Sequence, residues 1–224
     1  IIVTLTEGDR QQWIKAKQIE TIPNFSNIHT NHIYDYSRKK VITIGRLCKE
    51  KGFERLLDIW TSVNGKHPDW NLDIYGDGDM RNEILKLVED VEGICLHAPT
   101  KDIFDSYLNS SMLILTSVFE PFGMVLPEAM SCGLPVVSFD CPYGPADIID
   151  NASNGILVEN YDRFYMADII CHLIENETFR SQMGRAAVLS VQRYKPDSIM
   201  QKWKSLFEGL LVANIYNPEL FIVH

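Results

Sequence analysis

Short apolar runs alternate along the chain with longer stretches whose apolar residues recur every three or four positions. The runs at 41–45, 71–76, 94–97, 112–116, 135–139 and 156–158 are nearly continuous in apolar character, as buried strands of a parallel sheet covered on both faces should be. Between them, Phe53, Leu56, Leu57 and Trp60 sit at helical spacing, as do Ile84, Leu85, Leu87 and Val88 within 80–89; both segments predict crossover helices. After Tyr161 the pattern turns helical almost to the end. One stripe is formed by Met166, Ile169, Ile170, Leu173 and Ile174, and another by Phe179, Met183, Ala186 and Ala187; both are expected to be core. The alternation predicts an α/β doubly wound parallel sheet with a helical carboxy-terminal segment.

The first forty residues differ. Thr6 is placed to cap a helix over 7–18, with Asp9 in the capping-box position, and a strand-like stretch from Ile19 to Ile22 stops at Pro23. Residues 25–40 are polar and basic and read as a linker before a main unit at 41–195, with a last helix and tail at 196–224. The chain opens in strand-like residues without a methionine, which leads us to expect a fragment of something longer.

Two features bring in chemistry. Glu120 and Glu128, separated by seven residues, bracket the segment Glu120-Pro121-Phe122-Gly123-Met124-Val125-Leu126-Pro127-Glu128 directly after the apolar run at 112–116. A strand, a glycine-containing turn and a helix put one carboxylate at the strand's carboxyl edge and the other on the helix's first turns. Ligands of open α/β sheets bind in that crevice, where helix N–H groups favour phosphate. Carboxylates there are suited to accept hydrogen bonds from ligand hydroxyls, so a polyol attached to a phosphate meets both demands. The second feature is Gly45-Arg46-Leu47-Cys48-Lys49-Glu50-Lys51-Gly52-Phe53, with three cations in six residues at the first strand-to-helix turn. Arg46 offers a planar fork and Lys51 a point charge for a diphosphate; Lys49, beside Glu50, reads as a surface residue.

Composition narrows the partners. A net charge of −9 repels a polyphosphate backbone at long range and argues against nucleic acid, so an anion site must be local. The five cysteines (Cys48, Cys95, Cys132, Cys141, Cys171) are scattered, without a Cys-x-x-Cys pair, and read as reduced thiols of a cytoplasmic protein. No apolar run approaches the roughly 20 residues of a membrane helix.

Gly45-Arg46-Leu47 with Glu50-Lys51-Gly52-Phe53, then Ile74-Tyr75-Gly76-Asp77-Gly78, then Glu120 and Glu128 followed by Ala129-Met130-Ser131-Cys132-Gly133-Leu134-Pro135-Val136-Val137, resemble in order and spacing the donor half of a family 4 retaining glycosyltransferase. Residues 41–160 carry the resemblance, which is similar to that of bacterial polysaccharide-making members. It implies a Rossmann-like half of a GT-B fold, with 1–24 as a remnant of the amino-terminal acceptor domain. The implied activity is hexosyl transfer with retention from a nucleotide-diphosphate sugar to a glycan or lipid-linked acceptor. Arg46 and Lys51 would hold the diphosphate at Gly45, and Glu120 would bind the transferred sugar; these three side chains would carry the catalysis. Phe122, Gly123, Met124 and Val125 would complete the donor contacts, Glu128 would bind the ribose, and His97, Ala98 and Pro99 would sit near the base. The resemblance implies no metal and no other cofactor, a fragment inactive without its partner domain, and a cytoplasmic setting with peripheral attachment to the membrane's inner face through that domain. Competing readings are an epimerase or phosphorylase-like enzyme of the same architecture, or a non-catalytic nucleotide-sugar binding module.

Pro121 stands where that family often has glycine, and Cys141-Pro142-Tyr143-Gly144-Pro145-Ala146-Asp147 replaces a more common glycine pair followed by glutamate; Asp147 is given no role. Asp77-Gly78-Asp79 looks like a metal-binding carboxylate pair, but its place between a strand and a helix suits turn and cap chemistry. His97 is read as lining a pocket, and His29 and His32 as a solvated loop.

Overall fold

The computed structural model describes residues 1–28, 34–89 and 91–216, with side chains to residue 212. The paired histidines His29 and His32 lie outside the described residues. Six parallel strands form the main sheet: β3 (Lys40–Ile44), β4 (Asn71–Tyr75), β5 (Ile94–His97), β6 (Met112–Leu115), β7 (Val136–Phe139) and β8 (Gly155–Val158), in the order β5-β4-β3-β6-β7-β8. The smaller β1 (Ile2–Thr4) and β2 (Ile19–Thr21) pair in parallel. The helices are α1 (Glu7–Arg10), α2 (Phe53–Lys66), α3 (Arg81–Glu89), α4 (Ile103–Leu108), α5 (Val125–Ser131), α6 (Gly144–Ile148), α7 (Arg163–Glu175), α8 (Glu177–Ser190) and α9 (Pro196–Tyr216).

The strand order reverses at β3. From β3 the chain steps outward to β4 and β5, then returns to place β6 on the other side and continues through β7 and β8. The carboxyl ends of β3 and β6 are therefore the switch point, where open sheets leave a crevice for a ligand. Both faces are covered. On one face, Val41, Leu72, Ile74 and Ile114 pack with Leu56 and Trp60 of α2 and Met166 and Ile170 of α7. On the other, Ile42, Leu113 and Leu115 pack with Leu126 and Met130 of α5 and Tyr107 of α4. All four residues of β6 and of β7 are buried, which is why both read as unbroken apolar runs rather than alternating ones.

One expectation needs correction. The helix expected over 7–18 ends at Arg10 and continues as a 3-10 turn through Trp13. Strands β1 and β2 are only three residues long and begin in register, Ile2 opposite Ile19. A twelve-residue helix would run about 18 Å, overshooting strands of about 10 Å, so the crossover must turn back early. Thr6 does accept the Asp9 N–H at 3.1 Å, but the Asp9 carboxylate accepts from Trp13 Nε1 at 3.3 Å, which leaves half a capping box. The described part of the 25–40 segment, read as a linker, is tied to the main unit. Ser26 donates its N–H to the Tyr194 carbonyl at 2.9 Å, and the hydroxyls of Tyr34 and Tyr36 donate to the carbonyls of Ser131 and Gly133. Its polar residues are the means by which it docks on the helical layer.

Candidate functional site

The loop after β3 is welded to the end of β6. Val118 donates its N–H to the Glu50 carbonyl at 2.8 Å, and the Thr116 hydroxyl donates to the Lys51 carbonyl at 3.1 Å. This close approach depends on Gly52: its φ is +67°, and a Cβ there would lie 2.3 Å from the Thr116 carbonyl oxygen. The weld carries Lys51 across the switch point, where its ammonium contacts Oε1 of Glu120. The Ser117 hydroxyl donates to the same oxygen at 2.7 Å. The Glu120 side chain is 5% exposed and that of Lys51 24%, so a buried carboxylate is met by a cation that still faces the crevice.

A cavity of 390 Å³ opens beside this pair, lined by Ile44, Gly45, Arg46, Tyr75, Gly76, Asp77, Pro99, Thr100, Ile103 and Glu128. Gly45 joins the two: the Lys51 side chain runs past it, with Cδ 3.6 Å from where a Gly45 Cβ would be. Glu128, on α5, accepts a hydrogen bond from the Tyr107 hydroxyl at 3.0 Å. Burial pushes the Glu128 carboxyl above its ordinary value, and the Tyr107 hydrogen bond pulls it part of the way back. Tyr107 comes from the six-residue helix α4, too short to betray itself by periodicity, and nothing in the sequence pointed to it. Arg46 lines the cavity, but its guanidinium turns to Asp79 at 3.5 Å and is 69% exposed. The four charged residues thus form two adjoining groups, Lys51 with Glu120 and Arg46 with Glu128, on either side of Gly45.

The Glu120 loop is held from the other side by the segment before α6. Glu120 donates its N–H to the Pro142 carbonyl, and Tyr143 and Gly144 donate theirs to the Glu120 carbonyl, all within 2.9 Å. Gly144 is required there, because a Cβ would lie 1.9 Å from the Phe122 carbonyl oxygen. Gly123, with a φ of +84°, turns the chain into α5; Met124 and Val125 follow, and the first N–H groups of any helix lack intrahelical partners. The Phe122 side chain, expected at the donor, is 3% exposed and packs edge-on against Tyr194 at 5.5 Å between ring centroids. Asp147 accepts the Glu7 N–H at 2.6 Å, which ties α6 to the start of α1.

The base-pocket residues separate. Pro99 lines the cavity, together with Thr100 and Ile103, while His97 and Ala98 are not among its walls. The His97 ring stacks on Tyr75 at 4.4 Å and places Nε2 2.9 Å from Oδ1 of Asp73. In the acidic turn, Asp77 accepts the Gly78 N–H at 2.9 Å, and Asp79 faces Arg46. All five cysteines are free thiols. Two lie against the glutamates. Burial, with the Glu128 charge adding, pushes Cys132 up to about 12, and burial with the Glu120 charge does the same for Cys141. Burial thus holds both as thiols at neutral pH.

A parallel sheet with its charged cluster at the switch point and a helical carboxy-terminal layer is a Rossmann-like half of a GT-B fold. The family described as glycosyl transferases group 1 matches residues 25–189, and the chain belongs to that family. Among curated relatives, an uncharacterized glycosyltransferase of Haemophilus influenzae is 32% identical, over 92% of this chain and 60% of its own length. The amylovoran biosynthesis glycosyltransferase AmsD of Erwinia amylovora is 31% identical over 92% of this chain and 61% of its own. The poly(ribitol-phosphate) alpha-N-acetylglucosaminyltransferase of Staphylococcus aureus is 31% identical, with 93% and 44% covered. The chain therefore spans between two fifths and two thirds of the length of these relatives. Among solved structures, TarM superimposes with a TM-score of 0.83 at 31% identity, covering 92% of this chain and 43% of that one. A variant of S. aureus TarM, solved with fondaparinux, alpha-GlcNAc-glycerol and UDP, superimposes with a TM-score of 0.85. Among the described residues, no helix is long and apolar enough to cross a membrane.

Proposed function

We propose that this chain is the donor-binding half of a retaining glycosyltransferase that takes a hexosyl group from a nucleotide-diphosphate sugar and transfers it to a glycan or lipid-linked acceptor. The observation that carries the reading is the Lys51–Glu120 pair at the switch point, next to a cavity that holds Arg46 and Glu128. Without donor, Lys51 and Glu120 satisfy each other. With donor bound, the ammonium turns to the diphosphate, and the carboxylate, still held by Ser117, accepts hydrogen bonds from sugar hydroxyls. The Arg46–Asp79 pair is exposed, and exposed pairs hold little, so the guanidinium is free to exchange Asp79 for phosphate.

The chemistry follows from charge. As the bond from the anomeric carbon to the phosphate oxygen breaks, negative charge grows on the departing nucleoside diphosphate, and two preorganised cations stabilise it more in the transition state than in the ground state. They supply the positive charge without a metal on the phosphates. Glu128, kept in place by Tyr107, binds the ribose hydroxyls, and the base lies along Pro99, Thr100 and Ile103. The acceptor is bound by the rest of the protein, in a cytoplasmic setting with peripheral contact to the membrane's inner face. The relatives' activities, an N-acetylglucosaminyl transfer and amylovoran biosynthesis, favour polysaccharide-type acceptors.

Calorimetry with a panel of UDP, GDP and ADP sugars tests the donor site on this chain, and a transfer assay on the full-length protein tests catalysis. Binding of one nucleotide sugar, followed by transfer with the anomeric configuration kept, is expected. Failure of the whole panel to bind would remove the reading. Binding without transfer by the full-length protein would leave a binding module.

A further inference from the structure

The outer edge of the sheet carries a second cluster that the donor site does not use. On β4 and β5, Asp73 stands directly opposite Cys95, and Tyr75 opposite His97. Alternation along a strand puts Asp73, Cys95 and His97 on one face. One ligand atom from each, a carboxylate oxygen, Sγ and a ring nitrogen, lies within 4.8 Å of the other two. Asp73 is 4% exposed; its Oδ1 meets His97 Nε2 at 2.9 Å, while its Oδ2 meets the Lys40 ammonium at 2.8 Å. Cys95 is exposed, so the third corner faces solvent.

We propose that Asp73, Cys95 and His97 form a binding site for a divalent transition ion of borderline softness, with Zn²⁺ as the natural fit. One thiolate, one imidazole and one carboxylate match the ligand types of zinc, and three protein ligands leave a fourth tetrahedral position for water. The division of labour on Asp73 supports it: Oδ1 is the oxygen aimed at the histidine and binds the ion, while Oδ2 stays with Lys40, which orients the carboxylate from outside the coordination sphere. On binding, the Cys95 thiol gives its proton to solvent as the sulfur–metal bond forms, and neutral His97 coordinates through Nε2. The two negative ligands offset the ion's charge while Lys40 remains nearby. The ion would cross-link the edge strand β5 to β4 and fix His97, whose ring stacks on Tyr75 at the wall of the donor cavity.

The test is a titration of the reduced, metal-free chain with Co²⁺, followed by absorbance. The expected result is one-to-one binding with a thiolate-to-cobalt charge-transfer band, reversal by Zn²⁺, and a rise in Tm with either ion. Cys95→Ser, a surface change that should leave the circular dichroism spectrum and the metal-free Tm unaltered, is expected to abolish that band. Losing a direct ligand should lower affinity by at least the roughly 10–100-fold that outer partners contribute, and His97→Ala should do likewise. A wild-type chain without the thiolate band, or a band that survives Cys95→Ser, would overturn the assignment. Neither outcome bears on nucleotide-sugar binding.

Discussion

Two cations sit in this molecule in opposite circumstances. Arg180, on α8, is 2% exposed. It donates to the carbonyls of Leu173, Ile174 and Tyr36 and lies over the Trp70 ring, with 5.2 Å from its central carbon to the ring centroid. Its hydrogen bonds go to backbone carbonyls, and Glu177 is met only as a long ion pair at 4.0 Å, so the charge closes the end of α7 and pins the segment leading into β3. Lys51 is also largely covered, yet its partner is a side-chain carboxylate at a crevice. A cation spent on carbonyls has no freedom to exchange them, because the abandoned Leu173 and Ile174 carbonyls would stay buried without a donor. A cation paired to a carboxylate at an open rim can exchange one anion for another. Burial of charge therefore does not mark a functional site; the nature of the partner does.

The largest expected effect comes from breaking the closed case. Arg180→Met keeps most of the volume but strands the Leu173 and Ile174 carbonyls, while Tyr36 keeps the Ser111 hydroxyl; at about 1–3 kcal/mol for each stranded acceptor it should lower unfolding free energy by about 2–6 kcal/mol, read from urea denaturation. Nucleotide-sugar affinity of the remaining folded protein should not change; a parallel loss of both would erase the distinction between the two cations.

Lys51→Met is expected to invert that outcome, weakening nucleoside diphosphate by about 1.5–3 kcal/mol in calorimetry. It also leaves the Glu120 carboxylate without its cation. Adding Glu120→Gln should recover the lost stability but not the affinity. If the double variant regains nucleotide binding, Lys51 is not a phosphate ligand.

Glu128 sharpens the comparison through pH. Its folded carboxyl titrates above the ordinary 4.5, so the folded state binds the extra proton between the two values. Stability is favoured below 4.5 and lost as pH rises through the raised value. Glu128→Gln, which can still accept from Tyr107, should therefore unfold at a slightly higher Tm than wild type at pH 7, while its ribose contact weakens. Wild-type and variant Tm values should converge near pH 4. Wild-type stability exceeding the variant's at pH 7 would contradict the assignment.

The smallest effect is expected from a chelator. With Arg46 and Lys51 supplying the charge, removal of divalent ions should change nucleotide-sugar affinity by less than about twofold, well under the 1.4 kcal/mol that a tenfold change represents. A strong magnesium requirement would return attention to Asp77 and Asp79.

The spacing of Glu120 and Glu128 and the cations at 46–51 were legible because each belongs to a local strand-turn-helix unit whose direction the chain itself dictates. The same holds for the six strands, whose burial on both faces leaves unbroken apolar runs. Positions whose surroundings the sequence did not reveal share one property: their placement depends on a partner distant in sequence. Helix α1 is short because β1 and β2 are short. Phe122 turns inward because Tyr194, seventy-two positions on, receives its ring. His97 stands outside the cavity walls, held by Asp73 and Tyr75 of the neighbouring strand.

The sequence by itself determined the sheet, its alternation with helices and the identity of the charged residues available at its carboxyl rim, since hydrophobic periodicity and turn chemistry act over a few residues. Only the tertiary structure decided which charges meet. It joined Lys51 to Glu120, gave Glu128 to Tyr107, turned Arg46 toward Asp79 and brought Asp73 beside Cys95 and His97. Side-chain pairing falls off within a few ångströms, and distances of that size between remote residues exist only once the strands have taken their order.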